Sequence, residues 1–313
     1  MPSFPKPKFV FNFDIQEQLN FLIQHKSKRE IPDKSDSELL IASWNIANLG
    51  LQKRWREHYL LLAQIVEWFD IIAVQEVHNK LEGLRALESA LPSHYNLIFS
   101  DKGGNSERSA FIYDSRKVKQ LEMVGEVGIP PSEHRFIKLS GFEEKFTGFD
   151  RNPYLCSFQW NNETFTLLTV HSYFGSNRRK HLEKRALEAY AIGRYADLRN
   201  KSKHSFSKNI IALGDFNIPK VGKGDIVYNA LTKRGLLLPE HSSKVYSNIT
   251  NDKMYDQIAF LPSIKSKIQT QGVFDFDNAL FPKLWEHESK KNFRAYMRYY
   301  ISDHRPLWMQ LQF

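Results

Sequence analysis

Residues 299–313 read YYISDHRPLWMQLQF, and from Pro306 onward the run is largely apolar and partly alternating, as a half-buried terminal strand should be. Ser302, Asp303, His304 and Arg305 stand at its mouth. Turn chemistry accounts for a serine and an aspartate ahead of a proline. An acid followed by an imidazole at the entrance to a buried strand calls for a chemical reason, which must come from the rest of the chain.

Working upstream, apolar runs recur between helical patterns. KIQTQGVF (267–274), MYDQIAFL (254–261) and NIIALGDFN (209–217) read as strands, and YLCSFQW (154–160) with TFTLLTVH (164–171) reads as a hairpin around Asn161 and Asn162. Residues 178–200 form a long basic helix, and a shorter helix is expected near 225–232. Further upstream, LLIASWN (39–45), DIIAVQEV (70–77), YNLIFS (95–100), SAFIYD (109–114) and VKQLEMV (118–124) are strands, with amphipathic helices over 54–69 and 80–91. The stretch 125–150, rich in Gly, Pro and charge, reads as loop with one short strand. No element is assigned between Phe274 and the terminal strand.

The first 37 residues differ from the rest. Leu19, Leu22 and Ile23 fall at helical spacing behind Asp14 as a cap, and a polar stretch, KSKREIPDKSDSE, follows. We read residues 1–37 as a helical extension and linker that docks through Phe9, Phe11, Leu19 and Leu22, and residues 38–313 as one α/β domain without internal repeats.

At 313 residues, with 42% hydrophobic and 25% charged, the chain has the composition of a globular protein with a sizeable core. Its single cysteine, Cys156, excludes an intrachain disulfide and suits a reducing compartment. The N-terminus lacks the pattern of a signal peptide and no run approaches a membrane span, so an intracellular protein without stable membrane association is expected. Lys and Arg number 44 against 35 Asp and Glu, a net charge of +9 that favours polyanionic partners.

Polar residues gather at strand ends. Asn45 ends LLIASWN, Glu76 ends IIAVQE, His171 ends TLLTVH, Asp215 and Asn217 close NIIALGDFN, Asp256 opens DQIAFL, and Asp303 with His304 precedes the last strand. Any one of them could be a turn or cap residue. Together, on one rim of stacked sheets, they form a set of hard oxygen ligands suited to Mg²⁺ or Mn²⁺, with imidazoles placed for proton transfer or phosphate stabilisation. Zinc-spaced Cys or His clusters, a Walker loop and a Gly-x-Ser-x-Gly elbow are all missing from the sequence.

SWNIANLG, AVQEV, TVHS, GDFN, YDQI and SDHRP, in that order, resemble the endonuclease/exonuclease/phosphatase superfamily of metal-dependent phosphoesterases over about residues 38–313. Within it, GGNSERSAFIYD, FDRNP and FDFDNA resemble the pancreatic-type deoxyribonuclease branch, whereas Tyr255-Asp256-Gln257 departs from the Cys-Asp-Arg of the inositol-phosphatase branch. The resemblance implies a four-layer α/β sandwich, in which two packed, mainly antiparallel sheets are flanked by helices.

It further implies a divalent-metal-dependent phosphodiester hydrolase, an endonuclease on DNA more than RNA, with Mg²⁺ as cofactor and Mn²⁺ as substitute. Asn45, Glu76 and Asp303 would hold the ion. Asp256 would orient His304, and Glu107 would orient His171; Asp215 would handle the attacking water, while Asn217 and Arg151 would contact phosphate. His78 stands where that branch has an arginine and is a candidate substrate contact or a plain loop residue. The basic run Arg178, Arg179, Lys180, Lys184, Arg185 reads as a solvated face that could also track a nucleic-acid backbone, and Arg305 as a solvated strand-edge charge. The branch's two minor-groove tyrosines are replaced by Asn105 and by the segment IPKVGKGD. That leaves phosphodiesterase or phosphatase activity on RNA, lipid or small phosphorylated substrates as the alternative; a binding protein without catalysis ranks third.

Overall fold

A computed structural model of the chain describes residues 3–240 and 244–313. In chain order its helices and strands are α1 (Ile15–Lys28), β1 (Leu39–Leu49), α2 (Arg56–Val66), β2 (Ile71–His78), α3 (Glu82–Ala90), β3 (Tyr95–Phe99), β4 (Glu107–Asp114), β5 (Lys119–Glu126), β6 (Tyr154–Trp160), β7 (Glu163–His171), α4 (Arg179–Lys201), β8 (Asn209–Asp215), α5 (Ile226–Thr232), β9 (Asp256–Phe260), β10 (Ile268–Val273), α6 (Pro282–His287), α7 (Lys290–Tyr300) and β11 (Leu307–Leu311). One sheet runs β10-β11-β1-β2-β4-β3 and the other β5-β6-β7-β8-β9. The β1–β2 and β7–β8 pairs are parallel and the other strand pairs antiparallel.

The period-2 alternation of strands builds the layers. Leu39 and Ile41 of β1, Met309 and Leu311 of β11, Leu167 of β7 and Ile211 and Leu213 of β8 meet in one buried cluster between the sheets. Their neighbours on the opposite faces, Leu40, Ala42, Trp44 and Trp308, join residues of α2, α3 and α7 in a second cluster. Leu168, Val170, Ile210 and Ala212 join α4 and α5 in a third. The result is helix, sheet, sheet, helix, the expected sandwich. No helix among the described residues is long and apolar enough to cross a membrane.

The Asp14 side chain accepts a hydrogen bond from the Glu17 backbone N–H at 2.7 Å and so starts α1. Leu22 is fully buried, and Phe9, Phe11, Phe13 and Leu19 pack against the cluster on the outer face of the six-stranded sheet. Phe13 lies 4.9 Å from Phe281, and Phe11 5.7 Å from Tyr296.

Two differences from the sequence reading matter. Residues 125–150 contain a single 3-10 turn, Pro131–Phe136, beyond the end of β5, in place of a further strand. Residues 282–300, left without an element, form α6 and α7. The helical signal was there: Ser289 caps α7 by accepting from Asn292 N, and Phe293, Tyr296, Met297 and Tyr300 fall on one buried face at helical spacing. Aromatic and basic residues in alternation masked that spacing.

Candidate active site

Strand direction brings the polar residues together. β1 and β2 are parallel and pair in regular register as far as Asn45 and Gln75; the sequence reading ended them at Asn45 and Glu76, but after a register shift there they run on to Leu49 and His78, while antiparallel β4 begins at the same rim, with His78 opposite Glu107. In the second sheet β7 and β8 end side by side, His171 opposite Asp215, and antiparallel β9 begins there, Asp215 opposite Asp256. β11 runs antiparallel to β1, so the Ser302–Pro306 turn before it reaches the same rim. Each sheet therefore contributes to one shared edge.

Leaving the sheet at that edge takes unusual backbone. Asn48, Glu76 and Asn217 have φ of 50°, 60° and 53°, a region sparsely used by residues other than glycine, asparagine and aspartate. For Glu76 this coincides with a bulge in the β2–β4 pairing between Val74 and Val77, which re-aims its carboxylate. Gly214, at φ +140°, passes so close to Val170 that a Cβ would sit 2.0 Å from the Val170 carbonyl oxygen. Only glycine fits between β7 and β8 there.

Asp215 is the centre of the cluster. Its Oδ1 accepts from Asn217 N at 2.8 Å and its Oδ2 from Asn45 Nδ2 at 3.2 Å. The same Oδ2 lies 3.7 Å from His171 Nε2 and 3.9 Å from His304 Nδ1. Each imidazole pairs with a further acid: Glu107 Oε2 is 2.8 Å from His171 Nδ1, on the side away from Asp215, and Asp256 Oδ2 is 2.8 Å from His304 Nδ1, the same nitrogen that faces Asp215. Asn217 donates from Nδ2 to the Ser172 carbonyl at 2.8 Å.

The charges respond to this packing. Burial works against protonated His304, but Asp256 and Asp215 outweigh it and hold the imidazole well above its ordinary value. His171 is raised in the same way: burial and Arg151 oppose its charge, and Glu107 with Asp215 prevail. Glu107 would be raised by burial, yet His171 and Arg151 bring it down to about 2. Both imidazoles are thus favoured as cations.

Glu76 is different. Its Oε2 accepts from Asn48 N at 2.8 Å and its Oε1 from Asn45 Nδ2 at 3.1 Å. No basic side chain forms an ion pair with it among the described residues, and burial raises its pKa. Next to it, Asn45 Oδ1 is buried without a hydrogen-bond partner. A buried acceptor oxygen and a half-buried carboxylate side by side, the latter without an ion-pair partner among the described residues, are suited to a divalent cation. Asp215, Asp256 and His304 also offer ligand atoms within 4.8 Å of one another.

The remaining nominated residues are spread around this centre. Asp303 pairs with Arg298 at 3.1 Å. Arg151 lies 2.9 Å from Glu107 and 3.2 Å from Asp150, so its guanidinium backs the Glu107–His171 pair. His78, half-buried at the end of β2, makes one contact of 3.5 Å, accepting from Lys80 N, and takes no part in the ion pairs of the described residues.

Two charges read as solvated are buried. Arg185, 0% exposed, donates to the carbonyls of Tyr173, Phe174, Ser176 and Asn217. Arg305, 2% exposed, forms a two-pronged pair with Asp277 at 2.7 and 2.6 Å. Both lie where charge is costly unless fully paired, a property of their tertiary surroundings that helix periodicity does not reveal.

Sequence reasoning missed three supports. Arg54 donates to the carbonyls of Ala47, Asn48, Tyr300 and Ile301, and burial lowers it only to about 10, so it stays charged at neutral pH. Ser302 donates to Asn45 O at 2.7 Å and accepts from Ala47 N and His304 N, joining β1 to the turn that carries His304. Gln75, between the sheets, donates to Thr169 Oγ1 at 2.8 Å and to Ser43 Oγ at 3.2 Å. Ser302 alone had a signal, its place in SDH.

No family model matches the chain. A curated "Deoxyribonuclease" from Thioalkalivibrio sp. (strain K90mix) is 26% identical over 294 residues, covering 89% of this chain and 72% of that protein. The solved structure of an endonuclease/exonuclease/phosphatase family protein from Bacteroides thetaiotaomicron matches with a TM-score of 0.58 at 19% identity, over 88% of this chain and 94% of that one. A mannosyl-6-phosphatase of Bacteroides thetaiotaomicron VPI-5482 matches with a TM-score of 0.54 at 19% identity, over 88% of this chain and 100% of that one. The chain has the fold of the endonuclease/exonuclease/phosphatase superfamily, and its likeness to a deoxyribonuclease agrees with the deoxyribonuclease-type branch.

Proposed function

We propose that this chain is a divalent-cation-dependent phosphodiester hydrolase, an endonuclease acting on DNA, with its chemistry in residues 38–313 and residues 1–37 as an appendage packed on them. The observation that carries the reading is Asp215, with two imidazoles within 4 Å of one carboxylate oxygen and a further acid paired with each.

Asn45 and Glu76, with Asp303 alongside, would hold the cation. When bound it would offset the negative charge of the phosphate. Asp215 orients a water and takes its proton as the oxygen bonds to phosphorus in line with the leaving oxygen. His171 and His304, held protonated by Glu107 and Asp256, donate to the phosphate oxygens. As the bond to the leaving oxygen breaks, that oxygen takes a proton from the imidazolium beside it. Asn217 adds a hydrogen bond to the phosphate, and Arg151 keeps Glu107 ionised.

The replacement of the branch's tyrosines by Asn105 and IPKVGKGD supports a second reading, hydrolysis of RNA, a lipid or a small phosphorylated substrate by the same centre. A cleavage panel separates them: supercoiled plasmid, linear duplex, single-stranded DNA and RNA, each with Mg²⁺, Mn²⁺ or EDTA, for wild type and His304→Ala. Plasmid nicking lost in EDTA and in the variant is expected. Silence on every polymer, with turnover of a small phosphate ester, establishes the second reading.

A further inference from the structure

The basic face of α7 and the groove beyond it have no part in the chemistry above. Two grooves adjoin at Ile249. The first, about 200 Å³, is lined by Tyr255, Arg298, Asp303 and His304 and opens on the candidate active site. The second, about 230 Å³, is lined by Asn278, Trp285, Lys290, Phe293 and Arg294. A substrate leaving the first over Ile249 enters the second.

Lys290, Arg294 and Arg298 recur every four residues along α7, so successive cations lie about 6 Å apart along the axis. That spacing is commensurate with successive phosphates of an extended single strand. Neither Lys290 nor Arg294 pairs with an acid among the described residues, whereas Arg298 pairs with Asp303 at the active-site end. The one carboxylate lining the second groove, Asp277, is neutralised by Arg305. At the far end Trp285 is 49% exposed, its ring set edge-on against Phe293 at 5.0 Å with Lys290 5.7 Å from its centroid. A half-exposed indole beside a lysine is a platform for a nucleobase with its phosphate.

We propose that α7 and this groove form a track for a single nucleic-acid strand: Arg298, Arg294 and Lys290 follow its backbone away from the scissile phosphate and Trp285 stacks one base. The proposal rests on the nuclease reading and adds to it which strand surface the protein grips and where. It favours unpaired or locally opened DNA, since stacking on Trp285 needs a base out of its duplex.

The test uses the full chain, a dye-labelled single-stranded DNA long enough to span both grooves, and a dinucleotide that is not. Binding is read by anisotropy in EDTA, and cleavage in Mg²⁺, for wild type, Lys290→Ala with Arg294→Ala, and Trp285→Ala. The double variant keeps the apolar side of α7, so it serves where Trp285→Ala loosens packing. Expected are about tenfold weaker binding of the long strand, a salt dependence reduced by about 1.4 in the log–log slope for the double variant, a higher KM on polymer, and unchanged turnover of bis(p-nitrophenyl) phosphate. Unchanged strand affinity and KM in both variants overturn the track and leave the nuclease reading intact. A wild type that neither binds nor cuts any strand, yet hydrolyses the small diester, overturns both.

Discussion

Glu76, half-buried near the end of β2, and Asp256, buried at the start of β9, are carboxylates on the same rim, one from each sheet, and their surroundings treat the charge in opposite ways. Asp256 has His304 at 2.8 Å and shares with it a proton the site holds firmly. Among the described residues Glu76 is hydrogen-bonded by the amide groups of Asn45 and Asn48 and forms no ion pair, with an orphaned carbonyl oxygen beside it. The five-stranded half carries its counter-charge within the protein. The six-stranded half leaves a deficit that a cation from solution would fill, so we assign the cation to Asn45, Glu76 and Asp303 in preference to Asp215, Asp256 and His304. An ion at the second cluster would have to displace the buried Asp256–His304 pair, whereas at the first only the more exposed Asp303–Arg298 pair would have to give way.

The largest expected effect tests the point where the halves meet. Asp215→Ala should lower kcat on a phosphodiester substrate about a thousandfold, with little change in melting temperature; equal kcat in variant and wild type would remove Asp215 from the chemistry.

Next come the two buried arginines, one bracing each half by donating to four backbone carbonyls. Arg54→Met and Arg185→Met should each cost about 3 kcal/mol in denaturant unfolding, because carbonyls lose charged donors in the interior. They should differ in cation response: Arg54 fixes the Asn48 segment whose N–H holds Glu76, so only its loss should weaken Mg²⁺ binding. Equal Mg²⁺ affinity in both would contradict the division between the halves.

The cation assignment is sharpened by melting curves. Saturating Mg²⁺ should raise the wild-type midpoint by about 5 °C. Glu76→Gln should melt higher than wild type in EDTA, since a half-buried carboxylate without an ion-pair partner among the described residues is gone, and should show no Mg²⁺ shift. Asp256→Asn should keep the shift. The reverse pattern would place the cation at the Asp215, Asp256 and His304 cluster.

The smallest effect lies away from the rim, where α1 is tied down. Burial alone would raise Asp275, but hydrogen bonds from His25 and Arg29 outweigh it and hold the carboxyl well below its usual range. A carboxyl depressed by folding contributes stability above its unfolded value of about 4, and that contribution is lost as pH falls toward the folded value. Asp275→Asn should therefore cost about 1 kcal/mol at neutral pH, with the gap to wild type closing as pH falls below about 4. A gap that stayed constant down the titration would show that the carboxylate's charge does not anchor α1.

Much of this could be read from local pattern. Alternation in LLIASWN and NIIALGDFN gave strands because strand faces differ in burial every second residue, and Asp14 announced α1 because a cap acts within one turn. The motifs at strand ends were visible as residues out of keeping with their runs. α7 was missed because aromatic and basic residues shared its faces, and only the packing of Phe293, Tyr296, Met297 and Tyr300 shows which face is inside.

By itself, then, the sequence determined where most strands lie, which polar residues stand near their ends, and a net charge suited to a polyanion; it did not show that β1 and β2 run on to Leu49 and His78. Tertiary structure decided the pairings: which acid pairs with each imidazole, that Arg185 and Arg305 are interior braces, and that Glu76 has no ion-pair partner among the described residues. These depend on strand direction and register, which bring residues far apart in the chain within 4 Å. Periodicity reports the side of an element a residue occupies, and carries no information about what the other sheet places opposite it.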